Sequence, residues 1–279
     1  MTLWMSILLG LVQGITEFLP VSSSGHLSIL QNLLRLGYSA ENNLLFDVLV
    51  HLGTLVSVCL TFRKDLRSMV ADTAEFIRER RDGEHDEARL RPSVRLVVMI
   101  VVGTLPLLVA AVFMSKLALL FSQTWFIGIM LIITGALVSV SNKIAGSGGK
   151  NDRTTSLRDV FIIGLSQAVA LIPGLSRSGT TIAVGLARGL RRDFAVRFSL
   201  LLSIPAVVGS FVVTLFSALR EGVDFKLFPI YVVGAAISAV VGLFSIRVLR
   251  RITVSGKMKA VSYYCWAVGA LAIILTLVL

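Results

Sequence analysis

The chain has 279 residues, 55% hydrophobic and only 15% charged, with a mean hydropathy of +0.85. Soluble domains run at about 45–50% apolar and about 25% charged, so this balance argues against a soluble enzyme, a disordered chain or a disulfide-stapled one. The net charge of +11 does not mark a nucleic-acid binder, because the basic residues sit in loops between apolar blocks.

In chain order, Leu3–Leu36 comes first: apolar, but interrupted by Pro20 and by Ser22-Ser23-Ser24-Gly25-His26. Leu44–Phe62 then has the length of about 17–25 helical residues that crosses a bilayer. A loop over residues 63–93 follows. It opens with Leu66, Met69, Val70, Thr73 and Ile77 on one helical face, which predicts a short helix lying on the membrane surface, and then a charged turn through Arg80–Arg91. Val94–Met114 and Thr124–Ser141 are further spans. Asp159–Leu190 is interrupted again, by Pro173-Gly174 and by Ser176-Arg177-Ser178-Gly179-Thr180-Thr181. Phe194–Leu219, Pro229–Arg247 and Ala260–Leu279 complete six spans. Thr104-Leu105-Pro106 and Pro205 are expected to kink their helices.

The halves of each interrupted region are too short to span comfortably. Broken backbone at membrane depth persists only when buried in protein or facing water, so both regions read as re-entrant hairpins. Placing Arg63–Pro92, Asn142–Asp159, Arg188–Arg192 and Arg247–Lys259 in the cytoplasm puts 20 of the 27 Lys and Arg residues inside. Gln13-Gly14…Pro20-Val21-Ser22-Ser23-Ser24-Gly25 resembles Gln167-Ala168…Pro173-Gly174-Leu175-Ser176-Arg177-Ser178-Gly179, an internal repeat. The expected fold is an all-α polytopic membrane protein, one domain over residues 1–279. Six spanning helices and two re-entrant helical hairpins form inverted-topology repeats, the first about 1–141 (hairpin 3–36) and the second about 159–279 (hairpin 159–190). Such paired broken helices point to a binding site near the midplane. The N-terminus lacks a basic n-region and a small-residue cleavage site, so no cleavable signal is expected. Cys59 and Cys265 match no metal or redox spacing.

Two helix starts aimed at one place make an anion site, because their first N–H groups are unpaired and carry the positive end of the dipole. Glu17 is an ionisable residue in apolar sequence, costly there unless paired or hydrated. His26 lies three residues beyond Ser23, on the same helical face, so Ser23 as nucleophile with His26 as base is geometrically allowed. The structural alternative is that the serines, glycine and proline cap and kink a helix. Arg177 adds a planar fork suited to phosphate oxygens, although an ion pair with Glu17 or Asp47 also accounts for it. Gln13, Ser22, Ser176, Ser178 and Thr181 complete a polar cluster dense for a membrane interior. Asp47 and His51, one turn apart, pair with each other or line the cavity, and His51 reads as structural. Arg197 reads as snorkelling to the inner surface.

These two stretches, Gln13 to His26 and Pro173 to Thr181, together with Phe46 to Gly53 and Phe198 onward, resemble the signatures of the undecaprenyl-pyrophosphate phosphatase family, also called bacitracin-resistance proteins. The resemblance implies a multi-pass enzyme of the bacterial inner (cytoplasmic) membrane, open to the periplasm. It would hydrolyse undecaprenyl diphosphate to undecaprenyl phosphate and inorganic phosphate, recycling the carrier for peptidoglycan and conferring bacitracin resistance. By motif position Glu17, Ser23 and His26 are catalytic, while Gln13, Ser22, Arg177, Ser176, Ser178 and Thr181 hold the diphosphate. Glu17 is the candidate ligand for a divalent cation (Mg or Ca), and no organic cofactor is expected. The chain has Gln13 at a family position that is Glu or Gln, and Arg197 where some relatives carry Glu, which leaves one carboxylate in the first motif. Ser23, His26 or water remain as nucleophile. Expected partners are the polyprenyl diphosphate and membrane lipids, with no nucleic acid; a homodimer is left open. A transporter or flippase for a lipid phosphate or other anion would use the same clamp, and a non-catalytic lipid-binding scaffold is a further alternative.

Overall fold

The computed structural model describes residues 1–33, 40–82, 91–112, 120, 123–144, 149–221 and 225–278. These form eleven α-helices: α1 (Leu3–Thr16), α2 (Ser23–Leu33), α3 (Ala40–Thr61), α4 (Arg63–Asp82), α5 (Pro92–Ala111), α6 (Thr124–Ile144), α7 (Leu157–Val169), α8 (Arg177–Ala187), α9 (Arg192–Glu221), α10 (Phe228–Val254) and α11 (Lys259–Val278). No strand occurs among the described residues.

Five helices are long and apolar enough to cross a membrane: α5, α6, α9 over Arg192–Ser217, α10 and α11. A sixth crossing is available from α3, which is bent by 76° from α4 at Thr61–Arg63. The chain is thus a polytopic helical membrane protein. The expected spans Phe194–Leu219 and Pro229–Arg247 lie inside longer helices, α9 and α10, which run on past the apolar blocks at both ends, whereas α5 ends at Ala111 and the expected end at Met114 lies outside the described residues. Helix α4 extends to Asp82, so the charged turn expected from Arg80 starts later, and residues 83–90 of it lie outside the described residues. Its acidic face receives Arg91, which bonds Glu75 and Glu79; the Arg91 hydrogen bond holds the Glu75 carboxyl below its ordinary value.

Lipid tails are as apolar as leucine, so close backbone approach and interhelical hydrogen bonds must hold the helices together. Helix α1 crosses α10 where Gly10 meets Gly234: a Cβ on Gly10 would lie 2.5 Å from the Gly234 carbonyl oxygen. Helix α7 crosses α5 in the same way, with a Cβ on Gly164 only 2.3 Å from the Gly103 oxygen. Ser6, Ser57 and Ser238 reinforce this packing by donating to the carbonyls of Ile230, Ala239 and Val50 at 2.6, 2.6 and 2.7 Å, which ties α1 and α3 to α10. The largest buried cluster includes Phe18, Met99, Ile182, Phe198 and Leu201, so residues from both interrupted regions share one core.

Arg197 does not snorkel freely. It forms a two-point pair with Asp65 of α4, at 2.7 and 3.2 Å, and stands 4.0 Å from Asp152. A cavity of about 270 Å³ lies beside this pair, lined also by Asp72, Ser93 and Leu96, away from the candidate residues. Cys265 is buried and donates to the Pro20 carbonyl at 3.5 Å, while Cys59 is partly buried; both are free thiols.

Candidate active site

Each interrupted region breaks at one left-handed residue, Ser22 (φ 67°) in the first and Gly174 (φ 91°) in the second. Gly174 is fixed by contact: a Cβ there would sit 2.7 Å from the Ile127 oxygen. Thr134 of α6 pins the same turn, donating to the Gly174 carbonyl and accepting from the Ser176 amide at 3.1 Å. The two outgoing helices start alike. Ser22 Oγ accepts from the Gly25 amide at 3.2 Å, and Ser176 Oγ accepts from the Gly179 amide at 3.0 Å, each satisfying one unpaired donor of a helix start.

The breaks touch. Ser178 Oγ donates to the Leu19 carbonyl at 3.5 Å, and a Cβ on Gly179 would lie 3.0 Å from Pro20. Glu17 sits between them, 7% exposed. Its Oε2 accepts from Ser23 Oγ at 2.6 Å and from Gln13 Nε2 at 2.9 Å, and Arg177 Nη2 bonds its Oε1. His51 Nε2 of α3 stands 3.4 Å from Oε2. One carboxylate therefore gathers side chains from four segments. Arg177 also donates to the Ser203 carbonyl at 3.4 Å and keeps 22% of its side chain exposed. Ser23, His26 and His51 are likewise partly open, so the cluster has an accessible face.

The expected Ser23–His26 pair is not formed. Both residues lie on α2, but His26 Nδ1 donates to the Ser22 carbonyl at 2.8 Å, and its Nε2 meets the Tyr264 hydroxyl at 2.8 Å. The ring stacks on Tyr264 at 5.6 Å between centroids. Physically, the Ser22 carbonyl lies one turn back on the side-chain side of His26 and captures the ring. Ser23 turns instead to the carboxylate, a stronger acceptor.

Of the residues expected to hold the diphosphate, Ser22 and Ser176 are helix caps, and Ser178 bonds across the two interrupted regions. Thr181 Oγ1 donates back to the Arg177 carbonyl at 2.9 Å and contacts Ser199. Ser22, Ser176, Ser178 and Thr181 are all buried. Gln13 is fully buried as well; it donates to Glu17, and its Oε1 has no protein partner. Arg177 alone of this set presents donors to the open face.

A family model described as Bacitracin resistance protein BacA matches residues 6–271. The chain is 36% identical over 276 residues to an undecaprenyl-diphosphatase of Halothermothrix orenii, covering 99% of this chain and 98% of that one. It is 37% identical over 281 residues to one from Carboxydothermus hydrogenoformans, with the same coverage. With one from Korarchaeum cryptofilum it shares 39% over 265 residues, 95% of each chain. The chain belongs to the BacA family.

Two residues of this BacA chain escaped the sequence reading. His51 reads from the sequence as structural or cavity-lining with no partner named, and the structure brings it to Glu17; its distance from the first motif hides this, although its place midway along an apolar span is a usable signal. Tyr264 gave no signal, being one of several aromatics on a span. As for a cation, among the described residues no three His, Cys, Asp or Glu side chains come close enough to hold one. The donor set fits only the mode in which Mg²⁺ is held by one carboxylate together with substrate phosphate oxygens and water.

Proposed function

We propose that this protein is an undecaprenyl-diphosphate phosphatase, releasing inorganic phosphate and returning the monophosphate carrier to envelope synthesis, with bacitracin resistance as a consequence. Family membership and relatives of that name along almost the whole chain support the reaction. The observation that carries the site is that Ser23 and Arg177, from the two interrupted regions, meet on one buried carboxylate.

In this reading the chain crosses the membrane six times, α3 being the first crossing, and the two breaks are tips of re-entrant hairpins in inverted repeats. The matched serine caps and the matched glycine crossings of α1 with α10 and α7 with α5 support it. His51 lies about halfway along α3, which supports a site near the midplane. The basic loops face the cytoplasm of a bacterial inner membrane, and the site opens to the periplasm, as the family resemblance implies.

The diphosphate binds on the early amides of α2 and α8 and on Arg177, which turns from Glu17 to the phosphate oxygens. Released from the guanidinium, Glu17 accepts the Ser23 proton as Ser23 Oγ attacks the terminal phosphorus. The bond from that phosphorus to the bridging oxygen breaks, and undecaprenyl phosphate leaves. Water then hydrolyses the phosphoserine to inorganic phosphate and regenerates Ser23. Phosphoryl transfer demands chiefly positioning and charge neutralisation, which the helix starts and Arg177 supply. His26 exchanges its Tyr264 contact for a substrate oxygen at the rim. A divalent cation held by Glu17 and the diphosphate would add charge neutralisation.

The test is phosphate release from undecaprenyl diphosphate by purified protein in detergent, beside a lipid flux assay in vesicles. Release without flux is expected. Flux without release would replace the enzyme by a transporter.

A further inference from the structure

His51 is anchored at one ring nitrogen and has the other close to Glu17. Its Nδ1 donates to the Asp47 backbone carbonyl at 2.6 Å, which fixes the ring plane. The Asp47 carboxylate is engaged elsewhere, accepting from Gln31 Nε2 at 2.8 Å. Helix α3 is itself held in place: a Cβ on Gly53 would lie 2.1 Å from the Ala235 oxygen, and Ser238 donates to the Val50 carbonyl. The Nε2 position 3.4 Å from Glu17 Oε2 is therefore set by backbone packing rather than by side-chain chance.

Glu17 Oε2 is the oxygen that Ser23 uses, and Oε1 is the one Arg177 occupies. When Arg177 turns to a phosphate, the carboxylate loses its strongest anchor at the moment its direction toward Ser23 matters. Gln13 and His51 are what remain around it. The geometry points to His51 as a positioning residue for the reaction: as an imidazolium, a donor at both ring nitrogens, it holds the Glu17 carboxylate toward Ser23 through Nε2 while Arg177 is engaged with substrate. This rests on the hydrolase reading above. Because the need arises after substrate has bound, the loss belongs to kcat and not to KM.

The experiment compares phosphate release by the unaltered protein with that of His51→Leu, His51→Gln and His51→Asn. A glutamine amide nitrogen falls close to the place of Nε2, an asparagine one close to Nδ1, and leucine has no donor. His51→Leu and His51→Asn should lower kcat at least tenfold with KM within twofold, and His51→Gln should keep kcat within threefold. If His51→Leu fails to fold, judged by gel filtration and melting in detergent, the glutamine and asparagine variants decide. A kcat within threefold in His51→Leu or His51→Asn overturns the inference; so does a loss carried by KM, or a His51→Gln variant as poor as His51→Asn. No release by the unaltered protein would overturn the hydrolase reading and this inference with it.

Discussion

Arg177→Lys keeps a positive charge where the two interrupted regions meet and removes the fork. In the structure the guanidinium serves two acceptors at once, the Glu17 carboxylate and the Ser203 carbonyl. A lysine ammonium, a compact point charge, cannot stay on the Ser203 carbonyl and offer two parallel donors to a phosphate once it turns from Glu17. Charge-assisted hydrogen bonds are worth about 1.5–3 kcal/mol each. Losing one of them to the phosphate in the transition state, about 2–3 kcal/mol, corresponds to a fall of about 30- to 150-fold in kcat/KM. The retained charge should still balance Glu17, so the variant is expected to purify and melt near the unaltered protein. Neutralising Arg177 would instead deprive a buried carboxylate of its guanidinium, leaving Ser23, Gln13 and His51 around it, and should destabilise by up to about 3 kcal/mol. The assay is phosphate release with undecaprenyl diphosphate titrated in detergent. A kcat/KM within threefold of the unaltered protein would show that Arg177 is a structural partner of Glu17 and not a phosphate ligand.

His26→Ala should reduce turnover by about 30- to 150-fold, the worth of about 2–3 kcal/mol for one charge-assisted hydrogen bond to a substrate oxygen. Tyr264→Phe, which keeps the stacked ring, should change it by less than about threefold; equal losses would move the function of this pair to the stack itself. Gly164→Ala should destabilise by about 1–3 kcal/mol, since its Cβ would press on the Gly103 carbonyl. In contrast, Gly209→Ala in α9, with nothing within 4 Å of its added Cβ, should gain up to about 1 kcal/mol of helix propensity. Melting of the two proteins in one detergent checks the sign of each change. Asp159→Asn removes a buried carboxylate that accepts from Lys150 and Arg188, at 2.7 and 2.8 Å, and caps α7 with Ser156. A loss of about 3 kcal/mol is expected, the low end for a broken buried pair because both cations are partly exposed; an unchanged melting temperature would contradict it.

The broken helices were readable because proline, serine and glycine leave local marks. Pro20 and Pro173-Gly174 stop a helix, and Ser-x-x-Gly at Ser22 and Ser176 starts the next, so both turns could be placed without long-range information. The glycine crossings were not readable. Gly10 and Gly164 acquire meaning only from the carbonyls that Gly234 and Gly103 present across the interface, and helical spacing does not say which faces meet. The same holds within the site. Sequence proximity suggested Ser23 with His26, three residues apart, whereas the structure spends the His26 ring on the Ser22 carbonyl and Tyr264 and brings His51 to Glu17 from 34 positions away. A helix at α4 followed from its apolar face, but its anchor, Asp65 on Arg197, is a tertiary pair 132 residues apart that no periodicity encodes.

The most direct test of the reacting centre is Ser23→Ala in purified protein, read as phosphate release together with retention of undecaprenyl diphosphate. Lipid binding should persist, held by Arg177 and the helix starts, while release falls to background. Release at the rate of the unaltered protein would contradict it, because the hydroxyl bonded to Glu17 would then take no part in cleaving the diphosphate.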